Sequence, residues 1–349
     1  MKQMNTQELK ATPVADPLII AEAGVNHNGD IQIAKQLIDA AKHAGADVVK
    51  FQSFRAENLT SQKAKKADYQ RKALGDDDSQ LTMIQKLEFS ENEFVELYEY
   101  CQSAGIQFMS SPFDEQAADY LHKIGIGTFK IPSGEITNLP FLEHVAGLQK
   151  PIILSTGMCN LGEIEEALTT IYARGNKNVT LLHCVTEYPT PYEQTNLYAM
   201  QTLKHAFGLP VGYSDHTQGI EVPIAAAALG AVVIEKHFTL DRNMEGPDHK
   251  ASLEPAALQH MIKSIRNVVA ALGDGIKKPA ECERKNIEIA RKSVVASCDI
   301  AKGTKFMPEM LGRKRPGYGI PPKNMMSLLG RTSKADICKD DVITWDLVE

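Results

Sequence analysis

Short β-rich apolar runs recur along most of the chain, at residues 18–24, 47–54, 106–112, 128–134, 151–157, 179–185, 209–214 and 231–238. The segments between them, among them 31–44, 91–104, 161–174 and 220–229, carry apolar residues three and four apart, the spacing of a helix with one buried face. Strands alternating with helices predict βαβ units and a parallel sheet. Eight such units within roughly 250 residues match a (β/α)8 barrel, while a doubly wound open sheet would share the local pattern.

The polar positions separate these two folds. The runs start aliphatic and end polar: Glu22; Lys50 and Gln52; Ser110 and Ser111; Lys130, Ser133 and Glu135; Ser155; His183; Ser214, Asp215 and His216; Glu235, Lys236 and His237. In a barrel the carboxyl ends of all strands open on one face, where active sites are built. A single polar residue at a strand end is ordinarily a satisfied hydrogen-bonding group. The same feature at eight successive ends predicts a TIM-barrel enzyme, of α/β class.

The pattern breaks after Leu272. Gly273-Asp274-Gly275-Ile276-Lys277-Lys278-Pro279 reads as a linker and 280–292 as a polar lead that is compatible with a helix. Short β-type runs follow at 293–297, 305–306 and 341–345, around a basic turn at Arg313-Lys314-Arg315-Pro316-Gly317-Tyr318-Gly319. The expected organisation is a polar tail at 1–16, a catalytic barrel at 17–272, a linker at 273–290 and a small domain at 291–349. A core of about 60 residues is marginal, so the small domain is expected to dock on a partner surface. The connection 55–82 is long and charged, with Lys63-Ala64-Lys65-Lys66 and Asp76-Asp77-Asp78, and suits either a lid or a solvated loop.

Composition narrows the function classes. A formal charge of −6 offers no global attraction for nucleic acid or an acidic membrane, so positive charge for an anionic substrate must be placed locally. No stretch of about 18 consecutive apolar residues is present, and residues 1–16 lack an apolar h-region. The six cysteines are scattered without C-x-x-C spacing, which disfavours zinc-finger and disulfide-scaffold readings. Reduced thiols in the cytoplasm are the expectation.

Several of the strand-end residues carry candidate chemistry. His216 and His237 end the seventh and eighth runs, and neighbouring parallel strands would bring both imidazoles to one rim as a two-histidine metal site with positions left for water or substrate oxygens. Asp215 and Glu235 lie beside them and suit either ring orientation or a role as additional acidic groups. Lys50 and Lys130, with Ser111, Ser133, Ser155 and Ser214, suit phosphate or carboxylate groups. A Schiff-base lysine is the competing chemistry. Glu22 and Glu135 are candidate general acids or bases, or else ion-pair partners of Lys50 and Lys130. Lys236 has opposite parity to Glu235 and His237, which turns it away from the lumen. His27 reads as a loop residue.

Ala21 to Gly29 (AEAGVNHNG), Lys50-Phe51-Gln52-Ser53-Phe54, Lys130-Ile131-Pro132-Ser133-Gly134-Glu135, and Ser155-Thr156-Gly157-Met158 resemble the sialic acid synthases. So do His183-Cys184, Tyr188-Pro189-Thr190-Pro191, Ser214-Asp215-His216-Thr217, Glu235-Lys236-His237-Phe238-Thr239, Gly246-Pro247-Asp248-His249 and Lys314-Arg315-Pro316-Gly317, in order from about residue 17 to the end. The resemblance implies a barrel followed by an antifreeze-like (SAF) domain in a domain-swapped homodimer. It implies condensation of phosphoenolpyruvate with an N-acylated mannosamine-type sugar to a nine-carbon 2-keto acid and phosphate, with a divalent metal, Mn2+ or Mg2+, on His216 and His237. By the same resemblance Lys50, Ser111, Lys130, Ser133, Ser155 and Ser214 hold phosphoenolpyruvate. Gln52, Tyr188, Asp248 and Arg315 contact the sugar, Arg315 coming from the other subunit. Thr186 departs from the Asn that some members carry.

N-acetylmannosamine and 2,4-diacetamido-2,4,6-trideoxymannose are both open as the sugar. Three rivals stand beside this reading: a Schiff-base pyruvate aldolase on Lys50 or Lys130, a non-catalytic carbohydrate- or partner-binding protein, and a 3-deoxy-heptulosonate-type synthase, which would leave the C-terminal domain unexplained.

Overall fold

A computed structural model describes residues 16–67, 70–71 and 79–349. The N-terminal tail, save Asp16, and Asp76-Asp77-Asp78 lie outside the described residues. The chain forms two units, divided between Asp274 and Gly275.

The larger unit is a TIM barrel. Its strands are β1 (Leu18–Gly24), β2 (Val48–Ser53), β3 (Gln107–Pro112), β4 (Phe129–Ile131), β5 (Ile152–Ser155), β6 (Val179–His183), β7 (Val211–Asp215) and β8 (Val233–His237). Their order, β3-β2-β1-β8-β7-β6-β5-β4, is parallel throughout. β3 lies beside β4 and closes the ring. Seven of the eight predicted runs contain a strand whole, and the run 209–214 holds all of β7 but its last residue, Asp215. Helices α1 (Ile31–Ala44), α2 (Ala56–Leu59), α3 (Gln80–Gln85) and α4 (Glu91–Ala104) occupy the connections after β1 and β2. α1 begins where the Asp30 side chain accepts from the Gln32 and Ile33 amides, and α4 begins with a capping box between Ser90 and Glu93.

Alternation along the strands explains where the site lies. Side chains two apart share a face. One set, Ile20, Val48, Met109, Ile153, Leu182 and Val233, packs together as an apolar plug in the lumen. Two residues further along the same strands come Glu22, Lys50, Ser111, Ser155, Cys184 and Glu235, which line a cavity above the plug. The opposite parity, including Ile19, Val49, Phe108, Leu154, Leu181 and Ile234, belongs to the larger core that also takes in the helices. Gly212 of β7 has lumen parity but no room for a side chain: a Cβ there would lie 2.5 Å from the Val233 carbonyl oxygen and 2.7 Å from Leu182. Its two neighbours already fill the lumen.

The smaller unit has its own core, with Val294, Ile300, Phe306, Ile320, Leu328, Ile337 and Ile343 buried together. β9 (Ser293–Ala296) pairs antiparallel with β10 (Leu311–Lys314). The stretch expected as a basic turn therefore begins as a strand, because Arg313 and Lys314 complete the ladder opposite Val294 and Ser293. The runs at 305–306 and 341–345 supply isolated bridges, Lys305 to Thr332 and Val342 to Val295, rather than strands. The polar lead contains a helix, Arg284–Ala290. Among the described residues no helix is long and apolar enough to cross a membrane. All six cysteines are free thiols.

Candidate active site

The carboxyl ends of the barrel strands surround a cavity of ≈ 640 Å³, within the range that holds small-molecule substrates. Its floor is a cluster of buried charges. The Lys50 ammonium lies 3.2 Å from Glu22 Oε2, 3.3 Å from Glu235 Oε2 and 3.2 Å from the Ser111 hydroxyl. Lys130 lies 3.4 Å from Glu235 Oε1, which also accepts from Ser214 at 2.9 Å. Gln52 donates to Glu22 Oε1 at 3.1 Å. Strands β1, β2 and β8 are ladder neighbours, so residues 22, 50 and 235 meet although they are remote in sequence.

Burial and charge set the protonation of this cluster. Burial pushes Glu235 up, but Lys130 and Lys50 outweigh it and hold the carboxyl well below the usual range. Glu22 goes the other way. Burial and the Glu235 charge outweigh Lys50 and raise it to about 7. Burial opposes the charge on Lys50, yet Glu22 and Glu235 more than compensate and keep it protonated, whereas burial lowers Lys130. Two basic side chains, Lys50 and Lys130, are thus placed locally on the cavity floor of a chain that is acidic overall.

His216 and His237 meet at the rim with ring centroids 5.5 Å apart, and Tyr188 packs against both, 4.1 Å and 5.6 Å away. His216 Nδ1 lies 2.6 Å from the Val185 carbonyl. A carbonyl only accepts, so Nδ1 carries the proton and Nε2 keeps its lone pair. His237 Nδ1 is buried without a hydrogen-bond partner. Burial lowers His216 to about 4; burial and the neighbouring His216 take His237 well below its ordinary value. Two neutral imidazoles, one of them with an orphaned ring nitrogen, fit a divalent cation. Among the described residues no third His, Cys, Asp or Glu joins them, so further positions are left to water and substrate oxygens.

Ser133 accepts from the Gly157 amide at 2.8 Å and lies 3.1 Å from the Cys184 thiol. A Cβ at Gly157 would meet Thr186, Ser133 and Cys184 within 3.0 Å, so glycine is what lets this amide reach the wall. Ser155, Tyr188, Ser214 and Asp248 also line the cavity, and burial raises Asp248 to about 6.

Not every candidate faces the cavity. Glu135 sits on a 3-10 turn (Ser133–Glu135) after β4, and its carboxylate accepts from Asn138 at 2.7 Å. The turn breaks strand parity, and Glu135 is not among the cavity-lining residues. Asp215 does not orient an imidazole, because its parity places it outside the lumen. It accepts there from Lys236, Tyr213 and Thr217. Lys236 is thus turned away from the lumen, as its parity requires. Arg315 lies in the smaller unit just after β10, and the cavity-lining residues all come from the barrel. His27 is more than a loop residue: it is buried, accepts from the Gly29 amide through Nδ1, and stacks on Phe89 with centroids 4.0 Å apart. Sequence reasoning missed the apolar wall, with Phe54 and Phe113 just after β2 and β3, Leu59 in the 55–82 connection, and Met83, Ile84 and Leu87 on and after α3. It also missed Cys184, although inward parity two residues after Leu182 marks it.

Two family models match the chain, one described as the NeuB family over residues 37–277 and one as the SAF domain over 291–349. The chain is 56% identical to N,N'-diacetyllegionaminic acid synthase of Campylobacter jejuni over 328 residues, 93% of this chain and 98% of that protein. It is 45% identical to N,N'-diacetyllegionaminic acid synthase of Legionella pneumophila over 335 residues, 95% of this chain and 94% of that one. The crystal structure of N-acetylneuraminic acid (sialic acid) synthetase from Leptospira borgpetersenii superposes with a TM-score of 0.70 at 35% identity, covering 80% of this chain and 95% of that one.

Proposed function

The chain belongs to the NeuB family, and from that premise we propose that it is a phosphoenolpyruvate-dependent nonulosonic acid synthase whose sugar is 2,4-diacetamido-2,4,6-trideoxymannose and whose product is N,N'-diacetyllegionaminate. The observation that carries the reaction class is the floor of the cavity, where two buried lysines, Lys50 and Lys130, flank the Glu235 carboxylate. That arrangement suits a small substrate with phosphate and carboxylate groups. Similarity to the two N,N'-diacetyllegionaminic acid synthases supports this sugar over N-acetylmannosamine.

Lys50 and Lys130 hold the two anionic groups of phosphoenolpyruvate in register, assisted by the hydroxyls of Ser111, Ser133, Ser155 and Ser214, chiefly a positioning effect. The sugar enters above them, with Gln52, Tyr188 and Asp248 around its hydroxyls. His216 and His237 would hold the divalent cation, Mn2+ or Mg2+, which when bound supplies a Lewis acid for the sugar aldehyde. The phosphoenolpyruvate methylene forms the new bond to the aldehyde carbon, and the aldehyde oxygen takes a proton from Glu22, held by Gln52. Water adds to C2 and gives one proton to the Glu22 carboxylate; the phosphate-bearing C2–O bond then breaks, and the C2 hydroxyl passes its proton to the departing phosphate as the 2-keto group forms. Each turn consumes one water and leaves Glu22 as it began.

The proposal includes a domain-swapped homodimer in which each subunit supplies Arg315 to the sugar held by the other, and action in the cytoplasm. The resemblance of Lys314-Arg315-Pro316-Gly317 to the sialic acid synthases supports the first, and the free thiols support the second.

The test is to incubate the protein with phosphoenolpyruvate, Mn2+ and each sugar, following phosphate and nonulosonic acid together. One phosphate per product, abolished by EDTA, is expected. Borohydride trapping of pyruvate on Lys50 or Lys130, without phosphate release, would overturn the synthase in favour of a Schiff-base aldolase.

A further inference from the structure

We infer that the apolar wall over β2 and β3 is the element that selects a sugar with a methyl group at C6 and an acylamino group near that end. The inference rests on the synthase reading and deepens it. The cavity has two unlike sides. Charged and hydroxyl groups from within the strand ends make one, while Phe54 and Phe113, just beyond the ends of β2 and β3, make the other with Leu59, Met83, Ile84 and Leu87. These six belong to a small apolar cluster of their own, separate from the barrel core.

Ring geometry says which part of the sugar meets this wall. In a closed ring of eight strands, β7 lies opposite β3 and β8 opposite β4, and Phe54 after β2 packs against Phe113 after β3, ring centroids 6.1 Å apart. His216 follows β7 and His237 ends β8, so a sugar with its aldehyde at the histidines that extends across the mouth brings C4 to C6 to the β3 side, where Phe113 opens the apolar wall. Hydroxyls pressed against those six side chains would lose water and gain no hydrogen bond from them, which is costly. A C6 methyl and the methyl of an acetamido group would lose nothing.

The wall also holds one polar pair suited to an amide. The Thr60 hydroxyl donates to Gln80 Oε1 at 3.1 Å, and both residues line the cavity. This occupies the oxygen of Gln80 and leaves its NH2 group as a donor for an acyl carbonyl. A donor set in an apolar surface is the complement of an acetamido group, carbonyl and methyl together.

The experiment uses the full chain with Mn2+ and phosphoenolpyruvate, and measures kcat/KM for 2,4-diacetamido-2,4,6-trideoxymannose and for N-acetylmannosamine. The diacetamido sugar should be preferred by about tenfold or more, the scale of discrimination that one or two apolar groups and a hydrogen bond provide. Gln80→Ala and Leu59→Asn should each reduce that ratio about tenfold, chiefly through KM for the diacetamido sugar. Both positions are half-buried and start or end a short helix, so at least one variant should keep the fold, checked by circular dichroism. A ratio unchanged in the folded variants overturns the wall and leaves the synthase standing, as does wild-type preference for N-acetylmannosamine. No phosphate release from either sugar overturns both.

Discussion

The Lys236 ammonium and the Asp215 carboxylate meet at 2.5 Å, both withdrawn from solvent, on the outer side of the barrel between β7 and β8. Each immediately precedes a histidine of the rim, so the pair ties together the two strand ends that carry His216 and His237. Asp215 also accepts from the Tyr213 hydroxyl and from the Thr217 amide and hydroxyl. Removing one member of a buried ion pair strands the other, at about 3–5 kcal/mol, whereas replacing both is far milder. Lys236→Met should therefore lower the stability measured by chemical denaturation by that amount, and the double variant Asp215→Leu with Lys236→Met should recover a large part. Equal losses in the single and double variants would contradict this account.

Glu22 and Glu135 were equal candidates by residue type, and their surroundings separate them. Glu22 is buried on the cavity floor beside Lys50, while Glu135 is held by Asn138 off the cavity. Glu22→Gln should lower kcat by about 10²–10⁴, the usual worth of a general acid–base group. Glu135→Gln should keep kcat within the same order of magnitude. Steady-state kinetics decides, and a larger loss at Glu135 would reverse the assignment.

Asp248 gives the sugar site a pH dependence. Burial raises its carboxyl to about 6, so it is neutral below that pH and a charged acceptor above it. As a sugar contact it should make KM for the sugar fall as pH rises from 5 to 7, and Asp248→Asn should abolish that trend. Its stability effect has the opposite sense. A folded pKa raised above the unfolded value contributes stability that is full below the unfolded pKa and lost as pH rises through about 6. The Asp248→Asn variant should thus gain relative to wild type over that interval in denaturation curves. A sugar KM that is flat with pH in wild type would remove Asp248 from the site.

Metal removal tests the imidazole pair independently of turnover. Electron paramagnetic resonance of free Mn2+ should show His216→Ala and His237→Ala weakening binding by at least about tenfold, with far-UV circular dichroism unchanged. EDTA should stop phosphate release, and Mn2+ or Mg2+ should restore it. Wild-type affinity in both variants would place the cation elsewhere.

Gly212 tests the packing of the lumen. A Cβ would come within 2.5 Å of the Val233 carbonyl oxygen, and backbone cannot yield as a side-chain tip can. Gly212→Ala should cost about 1–3 kcal/mol through overpacking, read from the denaturation midpoint. A neutral outcome would mean that β7 and β8 can separate without penalty.

The sequence by itself determined the barrel, because the period of two along a strand and the recurrence of strand and helix are local properties. The same period placed Lys50, Ser111, Ser155, Ser214 and Glu235 on the inner face and Lys236 on the outer one. It also located His216 and His237 at adjacent strand ends. Tertiary structure alone decided the rest. Ring closure sets Lys50 between Glu22 and Glu235, and burial of that cluster, which no residue spacing encodes, raises one carboxyl and depresses the other. The 3-10 turn after β4 ends the alternation and carries Glu135 off the cavity. The apolar wall draws Phe54 and Phe113 from beyond the ends of β2 and β3, Leu59 from a charged connection, and Met83, Ile84 and Leu87 from α3 and the turn after it, residues that acquire a shared face only when these segments pack together.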